Sequence, residues 1–582
     1  MHKHPDQSTT VTAGGALFGK LKALGVDYVF ANSGTDFPPV IEGLIEARDK
    51  DLDLPAAITV PHEHVAVGMA HGYYQISGKA QAVMLHTNVG LANAATGAIN
   101  AACDQIPMFL MSGRTPVTES GRFGARTVPI GWGQEMYDQT ALVRETCKWD
   151  YELRFADQVS DVLDRGWSIA NSTPTGPVYL SLPREVLCEP CPADGLDKPS
   201  QMQAAFTSPD PEQLKAAAQL LAGAKKPLII AQRGAGSQET FDALTQFVSD
   251  WAIPLSHYWA NQIAIPMSSP MHVSWSPGSM IKKADVILVI NALAPWWPDQ
   301  ATPAPEAKII QLGPDPLFAR SSPMRTFRSD VTLTGHTATA LSQLINATSK
   351  HTRPTALIEK RHRKITALAS SERELISEKA QAGCHNPMTK DWVSYCLGRA
   401  VKERTISGRK TSVFHELGCP LPPLQLEHHL SYFQEPHSGG LGWCLPAAMG
   451  AQLADPDRLV FATMGDGSYM FANPVVCHQV CEALKLPVIT LVLNNEEWAA
   501  VRHSVAGLYK GGKASKSNDV PLTSLRPSPD FTITAEASRA YTETVSDGHE
   551  LPAALDRAIH VATTEKRQVL LNIAIERIQS PA

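Results

Sequence analysis

Short apolar runs rich in Val, Ile, Leu and Met recur along the chain, each bounded by polar or glycine-containing turns. Runs of this length predict strands buried on both faces of a parallel sheet. In the first part of the chain they fall at 28–31, 57–60, 82–85, 108–111 and 178–182, with helical patterns between them. A stretch rich in Pro, Asp and Ser follows at 189–211 and reads as a linker. A second block has strands at 227–231, 285–290 and 308–312, and a third at 412–415, 459–463, 488–493 and 569–575. Between these two blocks, from about 348 to 379, the sequence turns charged and helix-prone, and its basic run Glu359-Lys360-Arg361-His362-Arg363-Lys364 reads as a solvated helix face. Strand–helix alternation throughout predicts an α/β fold of three doubly wound parallel sheets, with functional residues at the carboxyl ends of strands. The first and third blocks are alike in size and style, which permits a duplicated fold.

Composition narrows the function. A chain of 582 residues exceeds one hydrophobic core and predicts three or four domains. A net charge of -6 gives no support for a nucleic-acid or anionic-membrane surface. The opening Met1-His2-Lys3-His4-Pro5-Asp6 is polar and no apolar run of signal or membrane-spanning length follows, so a cytoplasmic protein is expected. Most of the ten cysteines sit in apolar segments, as reduced thiols packed as small hydrophobes would. Cys188 and Cys191 have CxxC spacing but no second pair or matching histidines nearby, and read as part of a solvated loop.

The sharpest chemical signal lies in the third block. Met464-Gly465-Asp466-Gly467-Ser468 directly follows one strand, and Leu493-Asn494-Asn495 ends the next. Glycines let backbone N–H groups approach a phosphate, while Asp466 and Asn495 offer hard oxygens. Magnesium takes about six oxygens, usually few of them from protein. Two adjacent strand ends can supply that part of the shell.

Gly-Asp-Gly followed one strand later by Asn-Asn resembles the signature of thiamine-diphosphate enzymes, with a slightly longer spacer here. The resemblance implies that Asp466, Asn495 and the carbonyl of Glu497 hold magnesium, and that Gly465, Gly467 and Ser468 meet the diphosphate. Upstream, Ser438-Gly439-Gly440-Leu441-Gly442-Trp443 is similar to the family's pyrimidine-gripping stretch. There the Gly439 carbonyl would accept from the cofactor's exocyclic amine, and Leu441 would wedge between its two rings. The implied organisation is a pyrimidine-binding domain at 1–190, a central domain at 205–345 and a diphosphate- and magnesium-binding domain at 375–582. The first domain of one subunit would meet the third of another, making a homodimer or homotetramer.

Glu63 lies in Val60-Pro61-His62-Glu63-His64-Val65-Ala66, where a strand gives way to an apolar helix. By itself it reads equally as a helix first-turn acid or as a catalyst. The resemblance assigns it to the cofactor's pyrimidine nitrogen, because Gly72-Tyr73 and a short strand follow as they do in the family. His86 stands 23 residues after Glu63 and opens the next strand-end loop, most closely resembling benzoylformate decarboxylase. An imidazole there suits proton transfer; the plain alternative is a hydrogen-bonded structural histidine. Thr35, in Gly34-Thr35-Asp36, and Ala500, in Trp498-Ala499-Ala500-Val501, are candidate substrate contacts. Trp296, Trp297 and Trp498 hint at an aromatic-lined pocket, and 502–530 reads as a mobile loop over the site. The expected activity is non-oxidative decarboxylation of a 2-oxo acid, of benzoylformate-decarboxylase type. Acetolactate-synthase-type carboligation and 2-hydroxyacyl-CoA lysis are the enzymatic alternatives. A cofactor-binding but silent scaffold is the alternative from another class. Gly234-Ala235-Gly236 gives weak support for bound FAD in the central domain.

Overall fold

The computed structural model describes residues 10–273, 276–320 and 322–577, with Ile406 described by its backbone alone. The polar opening stretch Met1–Asp6 lies outside the described residues. Every strand expected above forms, in three parallel sheets. The chain divides into two compact units, one of residues up to Phe206 with Pro436–Asp455, the other of Thr207–Glu435 with Pro456 onwards.

In the first unit six parallel strands lie in the order Ala56–Thr59, Tyr28–Ala31, Gln81–Leu85, Met108–Arg114, Val178–Pro183, Asp150–Glu152. The chain starts at Tyr28–Ala31, adds one strand on one side, then returns to build the other. This reversal opens a crevice at the carboxyl ends of Tyr28–Ala31 and Gln81–Leu85, the usual place for a ligand in such a sheet. The second unit holds two sheets. A five-stranded one runs Leu255–Ser256, Pro227–Ala231, Val286–Ile290, Lys308–Gly313, Val331–Thr334. A six-stranded one runs Tyr432–Gln434, Thr411–Glu416, Leu459–Gly465, Ile489–Asn494, Val569–Ala574, Tyr541–Val545. Numbered in chain order, both six-stranded sheets read 2-1-3-4-6-5. The duplication that the sequence permitted is therefore present in topology. In the six-stranded sheet of the second unit the crevice falls between Thr411–Glu416 and Leu459–Gly465.

The segment Pro436–Asp455 leaves its sequence neighbours and packs within the first unit. Its helix Cys444–Ala454 lies against the helix Glu63–Ser77, which starts behind His62, whose ring nitrogen accepts from His64 N–H, and stops at Gly78 with φ 69°. Their contact requires glycine. A Cβ on Gly72 would stand 1.8 Å from the Ala447 carbonyl oxygen, and one on Gly450 1.9 Å from that of Met69. Helix propensity alone makes Gly72→Ala stabilising by up to about 1 kcal/mol. Backbone against backbone cannot relax cheaply, so the sign reverses: Gly72→Ala lowers stability by about 1–3 kcal/mol. Gly507→Ala, in open space on the helix Ala499–Leu508, is neutral or stabilising. Urea unfolding of the two variants checks the contrast.

Three expectations change. The stretch 189–211 begins as a strand, Pro190–Pro192, antiparallel to Thr10–Thr12. Cys191 pairs with Val11 there and is 3% exposed, so it belongs to a sheet rather than to a solvated loop, and burial pushes its thiol up to about 12. All ten cysteines are free thiols. The basic run lies on the helix Thr355–Gln381, but Arg361 is half-buried rather than fully solvated. Its guanidinium donates to the carbonyls of Ala252 at 2.8 Å and Ala224 at 3.0 Å, and to that of Trp251. These are backbone acceptors that the central sheet's helices leave over at their ends. Among the described residues no helix is long and apolar enough to cross a membrane.

Candidate active site

In the first unit the residues singled out by sequence gather at the crevice. Glu63 opens its helix and is 5% exposed. Asn32, just past the strand Tyr28–Ala31, donates to Glu63 Oε1 at 2.9 Å. Asn93, on the helix Thr87–Cys103, donates to Oε2 at 3.1 Å. Gly90 lies beside the carboxyl, where a Cβ would approach Oε1 to 2.9 Å. One acceptor position on each oxygen is used, which orients the carboxyl and leaves it able to serve another group. His86 follows the neighbouring strand. Its Nδ1 lies 2.5 Å from Asp36 Oδ1, and its Nε2 lies 3.1 Å from the side-chain nitrogen of Gln134. The bond to Asp36 raises the His86 pKa, burial opposes it, and the charges of Asp36 and Glu63 add to the rise. Thr35 is exposed on the turn and shows only its carbonyl in a bond, from Arg184 at 3.2 Å. Asp36, one residue on, is the buried member of that turn.

The stretch around Gly439 sits in the same unit. Gly439 is exposed, with φ 70° and open space beside it; Leu441 is half-buried. Asn100 Nδ2 donates to the Gly440 carbonyl at 2.8 Å, and Ser438 Oγ donates to Asn100 Oδ1 at 2.7 Å. His64 is buried beside the carbonyls of Leu441 and Gly442, and desolvation lowers its pKa to about 4, so it stays neutral.

The second unit carries a cavity of about 400 Å³ at its six-stranded sheet's strand ends, lined by Gly465, Asp466, Gly467, Ser468, Asn495 and Glu497 among others. Asp466 is 3% exposed. Its Oδ1 accepts from Gly467 N–H at 2.9 Å, while Oδ2 has no hydrogen-bond partner among the described residues. Desolvation raises its pKa to about 6, against the pull of nearby backbone N–H groups. The Ser468 hydroxyl is also buried and has no partner among the described residues. Asn495 Oδ1 caps Glu497 N–H at 3.2 Å. The Glu497 side chain points into an ion pair with Arg502 at 2.8 Å, which leaves its carbonyl as the group to consider for a cation. A costly buried carboxylate, an orphaned hydroxyl and glycine-rich backbone form a donor set that fits a hard cation with a phosphate group. Trp498 stacks on Gly467, where a Cβ would come within 2.2 Å of its ring.

Ala500 and Trp259 line this cavity and are exposed, and the half-buried Trp498 lines it too. Trp296 and Trp297 do not line it. The first is packed edge-on against Phe327 at 5.2 Å in the central sheet's core, and the second is 55% exposed. At the start of the segment 502–530, Arg502 is buried and donates to the carbonyls of Ser517 at 3.0 Å and Asn518 at 3.3 Å. Gly234 and Gly236 take φ 64° and 90°, and a Cβ on Gly236 would meet the Ala338 backbone at 2.8 Å. Close packing therefore accounts for that glycine pair.

Three doubly wound sheets with these two strand-end clusters define an enzyme that works through thiamine diphosphate. The chain belongs to the thiamine pyrophosphate enzyme family, matching its N-terminal TPP binding domain over residues 11–142, its central domain over 214–344 and its C-terminal TPP binding domain over 421–573. Among its relatives, a probable 2-ketoarginine decarboxylase of Pseudomonas aeruginosa is 26% identical, over 91% of this chain and 88% of its own length. The acetolactate synthase isozyme 3 large subunit of Escherichia coli is 24% identical, over 89% and 88%. The fold is shared with a thiamine diphosphate-dependent 4-hydroxybenzoylformate decarboxylase of Rhodococcus jostii, at a TM-score of 0.75 and 20% identity over 98% of this chain and all of that one.

Proposed function

We propose that the protein decarboxylates a 2-oxo acid without oxidising it, using thiamine diphosphate and magnesium. The observation that carries this reading is His86, an imidazole in the first unit's switch-point crevice whose protonated form Asp36 stabilises. Decarboxylation leaves a carbon that needs a proton, and such a group can deliver one. Bound thiamine diphosphate supplies the electron sink beside the substrate carbonyl. The chain supplies the rest. Glu63, steadied by Asn32 and Asn93, holds a proton at the cofactor's pyrimidine nitrogen. The Gly439 carbonyl and Leu441 take the ring. Asp466, Asn495 and the Glu497 carbonyl hold magnesium, and Ser468 donates to the diphosphate between Gly465 and Gly467. His86 moves protons at the reacting carbon, with Thr35 and Ala500 bordering the substrate. The domain boundaries proposed from sequence, 1–190, 205–345 and 375–582, give each sheet its own role. The active form is a homodimer or homotetramer, and a sizing experiment showing an active monomer would refute that assembly.

Carboligation is the second reading, supported by the similarity to acetolactate synthase. A panel of 2-oxo acids and acyl-CoA thioesters, incubated with cofactor and magnesium and read by product mass, separates the two. Carbon dioxide with free aldehyde is expected. Acetolactate from pyruvate without free aldehyde would instead establish carboligation, and thioester cleavage would establish lysis.

A further inference from the structure

We propose that Asp36 and Gln134 are positioning residues that together fix His86 as its Nδ1–H tautomer and keep Nε2 as the nitrogen that exchanges protons. The bonding roles follow from the partners. Asp36 is 4% exposed, and its Oδ2 accepts the Thr87 N–H at 3.2 Å, so the carboxylate acts as an acceptor and the ring nitrogen 2.5 Å from Oδ1 donates. Gln134 presents its amide N–H group to Nε2 at 3.1 Å, which fits only a ring nitrogen bearing a lone pair. Two donors and two acceptors thus pair without conflict in one tautomer alone.

The surroundings are built for this pairing. The ring lies on Gly34, where a Cβ would come within 2.1 Å of Nδ1, and the Asp36 carboxylate lies on Gly113, where a Cβ would come within 1.6 Å of Oδ2. Thr87 holds φ 38°, a left-handed backbone that a β-branched residue adopts at a cost on the order of 1–3 kcal/mol. Its N–H donates to Asp36 Oδ2. The charges acting on His86 are those of Asp36, from the turn after Tyr28–Ala31, and Glu63, from the helix Glu63–Ser77. Gln134 follows the short helix Ile130–Gly133 and is neutral, so it can leave Nε2 and return without changing the charge of the crevice.

The proposal rests on the reading of His86 as the proton-transfer group, and the test separates the two. Ring-¹⁵N-labelled holoenzyme is titrated by NMR, with the His86 signals assigned by their loss in His86→Phe. The Nδ1–H tautomer is expected near neutral pH. Asp36→Asn should lower the His86 pKa by at least about one unit by removing the facing carboxylate. Gln134→Glu should raise it by placing an acceptor at Nε2. The limb of the pH–rate profile set by His86 should move the same way in each variant, and kcat of Asp36→Asn should fall about 100-fold with KM little changed. An Nε2–H tautomer, or a His86 pKa unmoved in both variants, overturns the proposal; if Asp36→Asn fails to fold, Gln134→Glu decides alone. If the tautomer and pKa shifts appear but His86→Phe turns over normally, the positioning stands and the catalytic reading of His86 falls.

Discussion

Glu63→Gln should reduce turnover of every accepted 2-oxo acid by about 100- to 10,000-fold, the range that a positioned acid–base group supplies. The amide is almost the same size, so the loss reports chemistry rather than packing. Asn32 and Asn93 both donate to the carboxyl, one to each oxygen. A glutamine in its place offers one oxygen and one NH₂ group, and the NH₂ must face an amide donor. The side chain would then rotate, or one of the two asparagine N–H groups would lose its acceptor. Neither arrangement can hand a proton to a ring nitrogen. Steady-state rates at saturating cofactor and magnesium, with circular dichroism to confirm the fold, check the result. Undiminished turnover would remove Glu63 from the chemistry and reopen the silent-scaffold reading.

Asp466→Ala should weaken cofactor binding at fixed magnesium by at least about 100-fold, since even groups that only support a ligand are commonly worth 10- to 100-fold. The same change has the opposite sign in the cofactor-free protein. There Asp466 is a buried carboxylate, with one oxygen unpaired among the described residues and its pKa raised by desolvation to about 6. Removing it relieves desolvation, so the cofactor-free variant should unfold at a urea concentration equal to or above that of the parent. Calorimetric titration with thiamine diphosphate and magnesium reads the first effect, and urea unfolding without them the second. Equal affinity in variant and parent would place the metal elsewhere. A large loss of stability without cofactor would make Asp466 structural.

Most strands were legible because a strand covered on both faces is written as an unbroken apolar run; Ala56–Thr59 has the run but is a largely exposed edge strand, so its expected burial does not hold. The edge strands Asp150–Glu152 and Tyr541–Val545 are half-exposed and polar, and carry no such mark. Strand-end residues with strong local spacing, Asp466 and Asn495 above all, could be found from sequence because the spacing itself encodes the neighbouring strand ends. The partners of Glu63 and His86 could not. Asn32, Asn93, Asp36 and Gln134 reach them from other turns and helices, at separations that no motif fixes. The one available hint was the acid in Gly34-Thr35-Asp36, which stands beside the more obvious hydroxyl of Thr35. Nor does a sequence reveal that Pro436–Asp455 packs with a unit that begins several hundred residues earlier, because the tight glycine contacts at Gly72 and Gly450 look like ordinary helix positions.

The shared strand order of the two six-stranded sheets has a consequence for how such an enzyme diversifies. One scaffold, used twice, offers two crevices whose rims can drift separately. In this chain one rim carries amides, acids and an imidazole, while the other carries an oxygen-rich cradle. Selection for a new substrate can rework the first rim residue by residue and leave the anchoring chemistry of the second intact.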